Sequence, residues 1–99
     1  MRIDVIGTSP LLTSETCAYT EYRMFSRLAP LAREVSTVLV VVSRVADTGD
    51  TLCEASASLR AGGPIRACTR HPDPTGAIDA TAEKLSAAVQ RRLQPATSL

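Results

Sequence analysis

Residues 36–45, STVLVVVSRV, are dominated by β-branched side chains and carry apolar residues on both faces of an extended backbone. Such side chains lose rotamer freedom in a helix and pack well on a pleated surface, so the run is a strand. A strand that is apolar on both faces belongs in the interior of a sheet. That placement constrains the rest of the chain, because a central strand needs a neighbour on each flank.

One neighbour follows directly. After the turn ADTGD, residues 51–60 alternate, with Cys53, Ala55, Ala57 and Leu59 inward and Glu54, Ser56, Ser58 and Arg60 outward. Residues 61–63, AGG, suit a hairpin turn, since glycine enters positive φ freely. Residues 65–70 make the last strand, Ile65 and Ala67 inward, Arg66 and Arg70 outward. The other neighbour is residues 2–6, where Ile3 and Val5 face one way and Arg2, Asp4 and Ile6 the other.

Two helices complete the chain. Residues 13–28 can be capped by Thr13 or Ser14, have Glu15 and Thr16 in the first turn, and are stopped by Pro30. The best apolar stripe there is Ala18, Tyr22, Phe25, Leu28 and Ala29, with Arg23 and Arg27 on the opposite side. The second helix begins with Asp73 as N-cap and Pro74 at the first helical position, where a missing N–H costs nothing. Ile78, Ala82, Leu85, Val89 and Leu93 run down one face, and Pro95 closes it.

The order is strand, helix, three strands, helix. The first two strands, separated by a helix, pair in parallel through a right-handed crossover, and strands two to four form an antiparallel meander. The chain is thus an α+β two-layer sandwich: a four-stranded mixed sheet with both helices on one face. Residues 1–94 are expected to form one domain and 95–99 a flexible tail.

Several functions are disfavoured by composition. Aromatic residues are 3% of the chain, which argues against a protein that stacks bases on exposed rings. The net charge is only +1, so no strong overall pull to a polyanion exists. Ten of the eleven basic residues are arginine, whose planar fork suits phosphate, and Lys84 is the sole lysine. Cys17, Cys53 and Cys68 lack C-x-x-C spacing and read as buried small hydrophobes, leaving no metal site. His71 is the single histidine, in a loop before Pro72, with no partner to make a nucleophile pair. The AGG turn is too short for a phosphate loop. No enzyme activity, cofactor or small-molecule substrate is therefore expected. The run VLVVV is too short to span a bilayer, and MRIDVIGTSP starts as a strand rather than a leader, so the expected location is cytoplasmic.

The element order and four stretches are similar to the family of ribosome hibernation-promoting factors and ribosome-associated inhibitors, in its short form. The stretches are MRIDVIG, AREVSTVLVVVS, TLCEASASLRAGG and HPDPTGAIDATAEKLSAAVQRRL, the last with Ala77, Ile78, Asp79 and Lys84 in the family's pattern. The resemblance implies binding to the small ribosomal subunit and its rRNA in the decoding channel, inhibiting translation and protecting idle ribosomes under stress or in stationary phase. One departure stands out: Ala87 and Ala88 occupy places where family helices carry further basic residues. That departure motivates an alternative, a diverged homodimeric interaction module with little RNA affinity, pairing through the open sheet face or an edge strand.

Two sets of cations are candidates for the contact. On a helical wheel Lys84 and Arg91 share one flank of the second helix, Asp79 and Glu83 the other, and Ala77, Ala80, Ala87 and Ala88 lie near the basic flank. Small side chains there let a sugar–phosphate backbone approach closely. Arg92 extends from the edge of the apolar stripe. Arg91 and Arg92 also suit the negative end of the helix dipole, an account that leaves Lys84 unexplained. Arg23 and Arg27 join this RNA-binding surface if the two helices lie side by side. The second set is the uncovered sheet face, with Arg2, Arg44, Arg60, Arg66 and Arg70 among Asp4, Glu54, Val40 and Val42. That face is either solvated, with cross-strand ion pairs, or a docking surface for RNA or a second subunit.

Overall fold

The computed structural model describes residues 1–7 and 12–94. In chain order they form β1 (Arg2–Gly7), α1 (Ser14–Leu28), a single 3-10 turn (Ala29–Leu31), β2 (Val35–Arg44), β3 (Thr51–Leu59), β4 (Pro64–His71) and α2 (Pro74–Leu93). The tail at 95–99 lies outside the described residues.

The sheet has the spatial order β1-β2-β3-β4, so the β-branched run sits in the interior as its composition requires. β1 pairs with β2 in parallel, Ile3 opposite Val38 and Val5 opposite Val40. β2 with β3 and β3 with β4 are antiparallel, Val40 opposite Ala55 and Ala55 opposite Ala67. Gly62 at the β3–β4 turn has φ +124°, a conformation that favours glycine. A register shift between Val35 and Thr37 marks where β2 enters the sheet.

Both helices lie on one face of the sheet. α2 packs on β3 and β4, while α1 packs on β1 and alongside α2. Between the layers Met24, Leu28, Val38, Val40, Val42, Cys53, Ala57, Ile78, Ala82, Leu85 and Val89 are buried. This corrects one expectation. Val40 and Val42 belong to the core, and Leu39 and Val41 stand on the open face instead. Alternation is uninformative in a strand apolar on both faces, and only its partners decide which set turns inward.

The apolar stripe predicted for α1 is also corrected, with Leu28 its one buried member. Tyr22 and Phe25 are 64% and 55% exposed, and Ala18 and Ala29 are exposed too. The buried line is Thr20, Met24 and Leu28. Thr20 tolerates burial because its hydroxyl donates to the carbonyl of Thr16 at 2.7 Å. Cys53 is buried as expected, but Cys17 is half-buried and Cys68 is exposed on the open face, opposite Glu54.

Candidate nucleic-acid interface

The orientation of α2 decides which cations reach solvent. At its start the Asp73 carboxylate accepts from the Gly76 amide at 3.1 Å, and Pro74 occupies the first turn. The ring of His71, the last residue of β4, accepts from the Asp73 amide at 3.0 Å through Nδ1. That ring lies so close to Gly76 that a Cβ there would fall 2.5 Å from it. His71 is thus part of the turn that aims the helix. Further along, Ile78, Ala82, Leu85 and Val89 are buried against the sheet and set the rotation of the helix about its axis. Thr81 is buried beside them, its hydroxyl donating to the Ala77 carbonyl at 2.7 Å.

With that rotation, the acidic flank of α2 faces α1. Asp79 Oδ1 accepts from Tyr19 Oη at 2.6 Å and from Arg23 Nε at 2.9 Å. Glu83 Oε1 accepts from Arg27 Nη2 at 2.8 Å, and Ser86 Oγ donates to the Arg27 carbonyl at 3.1 Å. The hydrogen bond to Asp79, followed by desolvation, raises the pKa of Tyr19 above that of a free phenol. Arg23 and Arg27 do lie beside α2, but they are spent on this polar seam and carry no uncompensated charge.

The opposite flank is different. Lys84, Arg91 and Arg92 are exposed and make no ion pair among the described residues. Ala80 and Ala88 are half-buried and Ala87 is exposed, so little bulk projects along that flank. Ala77, by contrast, is buried against the core. The Arg92 guanidinium lies over the β3–β4 turn, with Nη1 3.9 Å from where a Cβ on Gly62 would sit. The structure therefore divides the predicted set: Lys84, Arg91 and Arg92 on an outward flank, Arg23 and Arg27 in the seam.

On the sheet side the five arginines do not form one patch. Arg2 pairs with Asp4 at 3.2 Å, and Arg70 pairs with Asp50 at 2.9 Å, which holds the Asp50 carboxyl below its usual pKa. Arg44 does not share the open face. It follows the parity of Val42 and donates to the Gly49 carbonyl at 2.8 Å, closing the β2–β3 turn. Arg60, past the end of β3, donates to the Arg33 carbonyl at 2.8 Å. Arg66 alone of the five has no polar partner among the described residues. It borders a shallow trough of about 420 Å³ lined also by Leu39, Val41, Glu54 and Cys68.

One cation escaped the sequence reading. Arg33, exposed just before β2, is brought to the same end of the molecule as Arg60 and the last turn of α2. Nothing in AREV signals this, because the association comes from pairing Val35 with Leu59.

No family model matches the chain, and no curated protein matches it. Solved structures do. A ribosomal subunit interface protein from Coxiella burnetii superposes with a TM-score of 0.78 at 18% identity, covering 95% of this chain and all of that one. The N-terminal domain of Protein Y from Thermus thermophilus gives 0.77 at 22% identity, covering 93% of this chain and 99% of that one. At these identities it is the architecture that is shared, and over nearly its whole length the chain has the fold of those two proteins.

Proposed function

We propose that the protein binds the ribosome by contacting RNA with the outward flank of α2, and that it acts without catalysis. Its partner in this reading is the small subunit, at the decoding channel, where it would inhibit translation and protect idle ribosomes in the cytoplasm. The observation that carries the reading is the division of charge on α2. Every acid on the helix body is engaged by α1, while Lys84, Arg91 and Arg92 are exposed, unpaired among the described residues and flanked by alanine. Cations disposed in this way fix position on a phosphate backbone without reading bases, which suits recognition of a folded RNA by shape. The shared fold with a ribosomal subunit interface protein supports the same reading.

Sedimentation of cell lysate tests it. At low salt the protein is expected to travel with ribosomal particles and to leave them as salt rises, because phosphate contacts release counterions. The double substitution Lys84→Glu, Arg91→Glu reverses charge at exposed positions and should abolish co-sedimentation while leaving thermal unfolding unchanged. Arg23→Ala and Arg27→Ala should co-sediment normally. Wild-type protein remaining at the top of a low-salt gradient would sink the proposal.

A further inference from the structure

The two edges of the sheet are not alike. β4 begins with a proline and carries Arg66 and Arg70 at exposed positions. β1 has six residues without proline or bulge, and no strand covers its outer side among the described residues. A bare regular edge offers a row of unused N–H and C=O groups to any strand that can approach. Alongside it, α1 presents Tyr22 and Phe25 at 64% and 55% exposure. Together with Met1, Ile3, Ala18 and the carboxylate of Glu21 at its rim they line a groove of about 470 Å³. Two of the three aromatic rings of the chain thus stand in solvent beside an open strand.

The sequence of β1 identifies what fits there. We infer that two copies of the chain pair antiparallel through β1, with Ile3 opposite its two-fold equivalent, joining both sheets into one continuous layer. In a two-fold antiparallel pair, the choice of residue on the axis fixes every other partner. An axis at Arg2 sets that cation against itself, and an axis at Asp4 sets that carboxylate against itself. An axis at Val5 places Asp4 opposite Ile6. Only with Ile3 on the axis does Arg2 of each copy face Asp4 of the other, on the open face, while Met1 faces Val5 on the helix side. Opposite charges directly across a strand pair stabilise it, and like charges oppose it.

Because directly opposed residues share a face, this register keeps all the helices on one side of the joined sheet. The α1 helices then meet over the seam, and Tyr22 and Phe25 of both copies close on one another above the Ile3 pair. The basic flank of α2, over β3 and β4, lies toward the far edge of each sheet and stays free. The inference is therefore independent of the RNA-binding reading.

Light scattering on the eluting protein, with sedimentation equilibrium over a micromolar to millimolar range, tests it. The wild-type chain should reach twice the monomer mass. Asp4→Arg, which opposes two bases, should raise the dissociation constant about tenfold or more. The charge swap Arg2→Asp, Asp4→Arg restores opposite charges in this register alone and should restore the dimer. Should Asp4→Arg fail to fold by circular dichroism, Arg2→Asp supplies the same test with opposed acids. A monomer throughout the range overturns the proposal. So does a dimer that the single substitutions leave intact, or one that the swap does not rescue.

Discussion

The carboxylate of Asp79 holds the hydroxyl of Tyr19 and the guanidinium of Arg23 on one oxygen, tying α1 to α2. Its effect can be read on Tyr19, whose pKa lies above 10.0 because the neutral hydroxyl is the form that donates. A raised folded-state value means that this contribution to stability is complete below pH 10.0 and is lost as pH climbs through the folded value. Asp79→Ala should lower the Tyr19 pKa toward that of a free phenol and flatten the alkaline loss of stability, followed by phenolate absorbance and by unfolding at stepped pH. At neutral pH the same substitution should cost about 1 kcal/mol, since both partners are partly solvated. The acidic flank that holds these groups was visible in the spacing of Asp79 and Glu83. Its engagement with Arg23 and Arg27 was not, because a wheel shows which side a charge occupies but not what stands there.

At the level of elements, α2 was legible from its punctuation. Asp73, Pro74 and the four-three-four spacing from Ile78 to Val89 agree on one start and one buried face. α1 was not, and the reason is chemical. Its buried line contains Thr20, which satisfies its hydroxyl within the helix, whereas Tyr22 and Phe25 lie outside. A hydrophobicity pattern ranks Tyr22 and Phe25 above Thr20 and so rotates the helix the wrong way. The two alternatives differ sharply in their energetic consequence. Met24→Ala should cost about 2–5 kcal/mol by removing a fully buried side chain. Phe25→Ala, measured on dilute protein, should stay within about 0.5 kcal/mol, as exposed sites usually do. Denaturant titration of both variants checks the assignment. The same ambiguity explains β2, where the core set and the open set are equally apolar and only the partners Cys53, Ala55 and Ala57 select Val38, Val40 and Val42.

For the molecule as a whole, the fold class and strand order could be read from periodicity and turn residues, whereas the distribution of free charge could not. The chain carries +1 overall, yet its cations are unequally engaged. Arg2, Arg23, Arg27 and Arg70 meet carboxylates, and the outward flank of α2 keeps three charges unopposed among the described residues. If those three make the RNA contact, the logarithm of the binding constant should fall against the logarithm of salt with a slope of about −2 to −3. Removing Lys84 should reduce that slope by about one, and a much steeper dependence measured by titration would implicate the sheet-side arginines as well. Topology carries a further consequence. The β2–β3 and β3–β4 hairpins close over short loops, but seating Ile3 beside Val38 brings together residues about 35 apart. Ring closure on that scale is entropically dearer, and its reward arrives only when the crossover is complete. The topology therefore favours a nucleus of the meander and α2 with β1 docking last, so amides of β1 should exchange with solvent sooner than those of β3.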